Sequence, residues 1–415
     1  MGGVSVDHIV ALIVFVSAIM LFVGFFGQTI QTGIIYQQNQ AVATKCSDLL
    51  DSILLNPGSP NNWGQENSTL SSFGIQDPEF TQYQLSAFSL MRLGSTGNLA
   101  EFDKTSQSIY YNSLTLGLGS FLLTPNAQAV NYSTVLSLLG INGTYGFQLS
   151  LTPDISVSIT ENQASSPLIL GISATGTGFP LAYATVSYCF VQVTLPSTDA
   201  QYPSYTIQNG TVTTDQTGAA NVQFPSVTNP NQVYSFIAYA HSNGIVGVGY
   251  HAKASNSDQY IVPILQDFAS QNVALAHNYD LNNSNPATLT LKYNATFVIL
   301  KQDYTLSELS LSSPGDTGVN GTVTSGYNNP FPSISLPEYS TGILIVTYQQ
   351  QDNLNQGGVV MMPWGVGSLA VPITFGGNPA KQQWVATDLR QVMINNVAYQ
   401  AKLSLWSTQG MQVKS

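Results

Sequence analysis

The stretch "YGFQLSLTPDISVSITE", residues 145–161, decides the fold class. Its apolar residues recur at every second position: Phe147, Leu149, Leu151, Ile155, Val157 and Ile159 share one parity. An alternation of period two is the mark of a half-buried β-strand, because successive side chains point to opposite faces. Pro153 has no N–H to give to a ladder, so a bend or an edge position is expected there. Three more strand-like runs follow: "PLAYATVSYCFVQVTL" (180–195), "TVTTDQTGAANVQFP" (211–225) and "VYSFIAYAHSNGIVGVGYHAK" (233–253). Gly218 falls between two of the strands, and Asn243-Gly244 is a two-residue hairpin signal. Short strands at this spacing predict a β-sandwich over residues 146–257.

Further along, "YIVPILQDF", "ATLTLKYNATFVILK", "STGILIVTYQQ" and "LAVPITFGG" predict a second β-rich domain over 258–415. In "VMINNVAYQAKLSLW" an Asn395-Asn396 turn precedes an alternating strand through Val397, Tyr399, Ala401, Leu403 and Leu405. Residues 57–145 read as a mixed α+β region with a short helix near "STVLSLLGI". The expected class is therefore mainly β, behind a long N-terminal helix in residues 1–56.

That helix is a different kind of sequence. From Ile9 to Gly27 the chain carries no charge. At about 1.5 Å per residue this run nearly spans a bilayer core of roughly 30 Å. No Lys or Arg precedes Lys45, so the basic flank of a cleaved secretory signal is missing. Ile35, Val42, Cys46, Leu49 and Ile53 then recur every three to four residues and form one apolar face. Pro57 and Gly58 stop the helix. Such a seam needs a cover. The expected cover is residues 57–145, with a neighbouring subunit's helix as the alternative. Deletion of residues 1–56 is then expected to leave a soluble protein.

"MGG" followed by "VSVDHIVALIV" and the continuous helix resembles archaeal type IV pilin-like proteins. The resemblance covers residues 1 to about 60. It implies a short leader cut at Gly, with Gly2 and Gly3 as processing candidates. Asp7 then takes the acidic position near the mature N-terminus, a candidate for assembly. The strand carrying "ATV", the "TDQTGAANVQF" hairpin and the closing strand resemble immunoglobulin-like and carboxypeptidase-regulatory-like domains of membrane-anchored surface proteins. That resemblance implies a β-sandwich ectodomain over about 146–255.

Only 7% of the 415 residues are charged, and the net charge is −11. There is no basic stripe to neutralise phosphates, so nucleic acid is not an expected partner. Cys46 and Cys189 lie in unrelated segments and read as buried free thiols. The histidines are His8, His241, His251 and His277; an Asn243-Gly244 turn places His241 opposite about Val246, away from His251. "GIVGVGY" (244–250) has the wrong glycine spacing for a dinucleotide loop. Asp280, Asn282, Ser284 and Asn285 lack the closing Glu of a calcium loop. Asp77 with Glu79, and Glu101 with Asp103, read as solvated loop carboxylates. No catalytic motif is present, and no catalytic residue, metal or cofactor is expected. Asn67, Asn131, Asn142, Asn209, Asn282, Asn294 and Asn320 each begin N-x-S/T and are glycosylation candidates if the domain lies outside.

The sequence thus leads first to a non-enzymatic, membrane-anchored extracellular protein of structural or adhesive role in the cell envelope, a pilin-like subunit among the options. Its expected partners are the lipid bilayer, through residues 9–27, and further copies or other surface proteins. The expected placement is single-pass, with the large C-terminal part outside. A glycan- or polymer-binding surface module is the second reading, and an extracellular hydrolase the third.

Overall fold

A computed structural model describes residues 3–65, 68–80, 82–94, 100–104, 107–111, 130–255, 259–267, 270–282, 288–309, 319–326, 331–337, 342–364, 372–382 and 384–408. Helix α1 runs Gly3–Leu54 without a break, over 52 residues. Helix α2 (Ala87–Gly94), the hairpin β1 (Ala100–Lys104) with β2 (Gln107–Tyr111), and helix α3 (Tyr132–Leu138) follow. Next come β3 (Tyr145–Pro153), β4 (Ile155–Ala164), β5 (Leu168–Gly176), β6 (Phe179–Pro180), β7 (Thr185–Thr194), β8 (Ser204–Thr213), β9 (Ala219–Phe224), β10 (Tyr234–Ser242) and β11 (Ile245–Lys253). The remainder holds β12 (Ile261–Asp267), β13 (Asn272–His277), α4 (Asn278–Asn282), β14 (Thr290–Leu300), β15 (Leu306–Leu309), β16 (Val319–Thr324), β17 (Ser333–Ser335), β18 (Gly342–Gln350), β19 (Gly357–Trp364), β20 (Ile373–Gly376), β21 (Ala386–Ile394) and β22 (Val397–Ser407). The protein is mainly β, as its alternating patterns predict.

Strands β4 to β11 build a two-sheet β-sandwich. One sheet pairs β5 with β4 and β9, and short β6 extends β5; the other runs β11-β10-β7-β8. The hairpins β4–β5, β7–β8 and β10–β11 each pair within one sheet, and the chain crosses to the facing sheet after β6, after β8 and after β9. Leu168, Leu170 and Ile172 of β5 and Val222 and Phe224 of β9 pack against Val186, Phe190, Tyr234 and Phe236. Phe190 and Phe224 stack across the interface with ring centroids 3.8 Å apart. The glycines of "GIVGVGY" have a steric purpose: an added Cβ at Gly247 would lie 2.4 Å from Ile155, and one at Gly249 would lie 2.6 Å from the Val157 carbonyl. β11 thereby lies directly against β4 and closes one edge of the sandwich. The hairpin signal is realised, with Asn243 and Gly244 both at positive φ and His241 opposite Val246.

Strand β10 is buried on both faces over most of its length. Tyr234, Phe236, Ala238 and Ala240 face the sandwich core, while Ser235, Ile237 and Tyr239 face a further sheet. That sheet holds β14, β18 and β19, with β15 and β16 sharing the other side of β14. Ser235 Oγ meets Met361 Sδ at 3.5 Å, and Cys189 Sγ meets the Tyr304 carbonyl at 3.2 Å. A three-stranded sheet, β12-β13-β17, covers the far side, so β18 and β19 are buried throughout. Strands buried on both faces lose their alternation and read as continuous apolar runs, which is why "GILIVTYQQ" shows no period.

Four glycines sit directly across a ladder from an aromatic ring: Gly146 from Trp406, Gly210 from Tyr188, Gly321 from Tyr293 and Gly358 from Tyr348. In each pair the ring lies over the glycine, where a Cβ would come within 2.6 Å of it. A ring over a strand glycine supplies the packing surface that the glycine lacks.

Pro153 marks more than a bend. β3 belongs to a separate sheet, β20-β3-β22-β21, and the chain changes sheets at Asp154. Phe147, Leu149 and Leu151 therefore enter one core, while Ile155 enters another, although all share one parity. β3 thus joins strands of the segment 258–415 and shares no ladder with β4. The last turns of α1 pack on this sheet. Val42, Cys46, Leu49, Leu50, Ile53 and Leu54 are buried, and Ile35 is half-buried. β21 and β22 lie over the seam, a cover that the sequence reading of residues 57–145 did not include. Residues 57–93 contribute at the end of the helix, where Ile75 N–H donates to the Ile53 carbonyl at 2.9 Å. Pairing across this sequence distance leaves no local pattern to read.

Candidate functional site

Two regions of α1 behave differently. Residues 6–34 are exposed on every side, including Phe22 at 70% and Phe25 at 67%. The most apolar 18-residue window has a mean hydropathy of 3.0, and none of it is buried. Gly24, Gly27 and Gly33 have open space where a side chain would stand. Bare Leu, Ile and Phe on a water-facing helix are costly at about 25 cal/mol per Å², so this surface calls for an apolar surrounding. By length and composition α1 suffices for one membrane span or a signal anchor. The bare stretch 6–34 is roughly 45 Å long at 1.5 Å per residue, longer than a bilayer core of about 30 Å.

At its base the helix is held by a polar clamp. Arg390 on β21 donates from Nε to Asp51 Oδ1 at 2.9 Å and from Nη2 to Asp51 Oδ2 at 3.1 Å. The same guanidinium reaches Ser47 Oγ at 3.0 Å and Asp388 Oδ2 at 2.9 Å. Tyr83 adds a hydrogen bond to Asp51 at 3.2 Å. A two-point fork to a carboxylate fixes orientation as well as distance, so the clamp sets the rotation of α1 on the sheet. Cys46 lies beside it, donating to the Leu403 carbonyl at 3.5 Å, and burial pushes its thiol up to about 11. Cys189 is pushed up to about 12 by burial. Both are free and buried, as expected, and at these values neither is a thiolate near neutrality.

Other candidates are dispersed. Asp7 is exposed on the first turns of α1, and the backbone of Gly3 begins the helix; Gly2 lies outside the described residues. Asp77 is raised by burial and accepts from Glu79 N–H at 3.0 Å, so the pair forms a turn. Asp280 is buried and accepts from Gly326 N–H at 2.8 Å. Ser284 and Asn285, and the side chains of Glu101 and Asp103, lie outside the described residues. Among the described residues no group of three His, Cys, Asp and Glu gathers closely enough to hold a metal ion. Of the sequons, Asn131 is exposed and caps α3 through its oxygen, Asn142 is exposed in a turn, and Asn320 is exposed on edge strand β16. Asn294 is half-buried on β14, directly opposite Asn320. Asn209 is exposed, but its amide bonds Leu306 at 3.5 and 3.3 Å. Asn67 and the Asn282 side chain lie outside the described residues.

The clamp was missed in the sequence, yet a signal exists. In a chain so poor in charge, Asp388 and Arg390 stand two apart on one face of a strand, and Asp51 stands beside the helix seam.

The pH response follows from these environments. Partial burial opposes it, but bonds from Ser47, the Leu389 N–H and Arg390 hold Asp388 below the usual carboxylate range. Glu161 is likewise held low against partial burial, by Tyr234 and Lys253, whose ammonium sits 2.9 Å away. Burial lowers His241 and His251. A group whose folded value is depressed stabilises fully above its unfolded value and ceases to as pH falls through the folded one. The melting temperature should therefore begin to fall below about pH 6.5 through the histidines, and fall again below about pH 4 through the carboxylates. His251→Gln should flatten the first step and Asp388→Asn the second, read by calorimetry across pH 3–8.

No protein-family profile matches the chain, and no curated protein matches it in sequence. Solved structures with partial similarity include trypsin-activated alpha-2-macroglobulin from Escherichia coli, at 9% identity and a TM-score of 0.21, covering 58% of this chain and 18% of that one. Red sea bream transglutaminase gives 9% identity and 0.17, over 55% of this chain and 33% of that one. The Yersinia pseudotuberculosis adhesin InvE gives 11% identity and 0.19, over 59% and 73%. The chain spans a third or less of the first two. Scores of this size fall short of a shared overall arrangement.

Proposed function

We propose that this chain is a membrane-anchored extracellular protein of the cell envelope with a structural or adhesive role and no enzymatic activity. The observation that carries the reading is the contrast within α1: an apolar half exposed all round, continuous with a half locked into the β-rich body. Residues 9–27 enter the bilayer, the remaining helix is a stalk, and the Arg390 clamp sets the body on it. Its partners are lipid, further copies of the chain or other surface proteins, and not nucleic acid. In the pilin-like form of this reading the chain is cut at Gly2 or Gly3, and Asp7 meets a neighbour's new amine. Asn131, Asn142 and Asn320 carry glycans where the host modifies sequons, and Asn294 does not, because it is half-buried on a strand paired on both sides.

Three measurements test this. Carbonate washing should leave the full chain in the membrane pellet and release a chain lacking residues 1–36. An impermeant amine reagent should label exposed Lys301 and Lys402 in intact cells. Mass spectrometry of the native protein should show whether Gly2 or Gly3 has gone and which asparagines are modified. Release of the full chain by carbonate, or lysines protected until the cells are opened, would overturn the reading.

A further inference from the structure

A cleft of about 520 Å³ opens where the end of the sandwich meets β21 and β22. Its volume falls within the roughly 300–1,000 Å³ of small-molecule sites. Asp154 lines it from the junction of β3 and β4, Thr177 from the β5–β6 turn, Asn243 from the β10–β11 hairpin, and Leu389, Gln391 and Gln400 from the C-terminal hairpin. Arg390 is also at its wall, but its guanidinium is committed to Asp51 and Asp388. The cleft therefore offers hydroxyl and amide groups, one carboxylate and no uncommitted cation. Asp154 accepts from Gln391 Nε2 at 2.6 Å through one oxygen; the other has no partner among the described residues.

Two further features mark the place. Apolar side chains stand among these polar groups: Leu389 is 47% exposed, and Leu181 and Ile245 are half-buried in the same lining. The β5–β6 turn holds Thr177 at φ 48°, a conformation that a β-branched residue rarely adopts. Backbone outliers of this kind concentrate at binding and switch sites.

An anionic ligand would meet Asp154 with no free cation to offset it. A purely apolar ligand would bury the amides unpaired. The ligand chemistry that satisfies both sets of groups has hydroxyls on its edges and C–H groups on its faces. We propose that this cleft binds an uncharged oligosaccharide, with Asp154, Gln391 and Gln400 taking its hydroxyls and Leu389 and Leu181 lying against its apolar face. The inference rests on the surface placement proposed above, because extracellular glycan is met only there.

The test uses the full chain in lipid nanodiscs, since glucoside and maltoside detergents present the same chemistry as the ligand. Tetraoses of glucose, mannose, galactose and N-acetylglucosamine, and a uronic-acid tetraose, are titrated by calorimetry. At least one neutral tetraose should bind saturably, and the uronic-acid one at least tenfold more weakly. Leu389→Ala and Gln400→Ala, both at exposed positions of the lining, should each weaken binding tenfold or more with the melting temperature unchanged. Absence of binding by every neutral tetraose, preference for the uronic acid, or binding unaltered by both substitutions overturns the proposal. Labelling of Lys301 and Lys402 in intact cells reads surface placement separately. A labelled chain that binds no sugar defeats the cleft alone, and an unlabelled one defeats the parent reading whatever it binds.

Discussion

A chain shortened to begin at residue 57 should aggregate, whereas one shortened to begin at residue 37 should be soluble and folded. The sequence alone suggested that the chain beginning at residue 57 would be soluble, because it placed the membrane helix and its extension in one removable unit. The structure divides that unit. Cys46, Leu50 and Leu54 are fully buried, Ile53 is 1% exposed and Leu49 5%. At about 1.5–3 kcal/mol for each large apolar side chain, Val42, Leu49, Leu50, Ile53 and Leu54 together contribute on the order of 10 kcal/mol. That is comparable to the whole stability of a typical domain, about 5–15 kcal/mol. Their removal also bares one face of β21 and β22, a strand surface open to association. Size-exclusion chromatography with thermal melting distinguishes the two chains. A monomeric residue-57 chain that melts with the residue-37 chain would show that α1 lies outside the core.

Gly358→Ala should destabilise the protein by about 2–3 kcal/mol, although alanine in a strand normally gains on glycine. The added Cβ would sit 2.2 Å from the Tyr348 hydroxyl oxygen and 2.5 Å from Cζ. Tyr348 is fully buried and has no room to retreat. The melting temperature should drop by roughly 4–12 °C, at about 2–4 °C per kcal/mol for a large domain. The buried Tyr348 hydroxyl has no hydrogen-bond partner among the described residues. Tyr348→Phe alone should therefore be neutral or stabilising, since it removes an unsatisfied polar group. Combined with Gly358→Ala it should recover part of the loss, because the nearest colliding atom is gone. A neutral Gly358→Ala would mean that the ring is not seated over the glycine.

Local chemistry was legible and assembly was not. The helix seam, the stop at Pro57-Gly58 and the turns at Asn243-Gly244 and Asn395-Asn396 depend on residues close in sequence. Their conformations follow from side-chain type; Asn395 and Asn396 both adopt positive φ. The parity of residues 147–159 identified strands but not their partners, because one parity is compatible with two cores joined at Pro153. Four layers of sheet erased the alternation of β10, β18 and β19. The cleft was invisible for a further reason. Its lining comes from four separate segments, and none of Asp154, Asn243, Leu389 or Gln400 is unusual where it stands in the chain.

The order in which the seam and its cover are made has a consequence in time. Cys46 and the Leu403 carbonyl it meets are 357 residues apart. At roughly 5–20 residues per second of synthesis, about 20–70 s separate their appearance. An apolar helix reaches a bilayer long before that interval ends. In the membrane-anchored form proposed above, the anchor is thus in place while Val42, Leu49 and Ile53 remain uncovered at the far end of the stalk. Through that interval those side chains stand without the cover that β21 and β22 supply once the fold is finished.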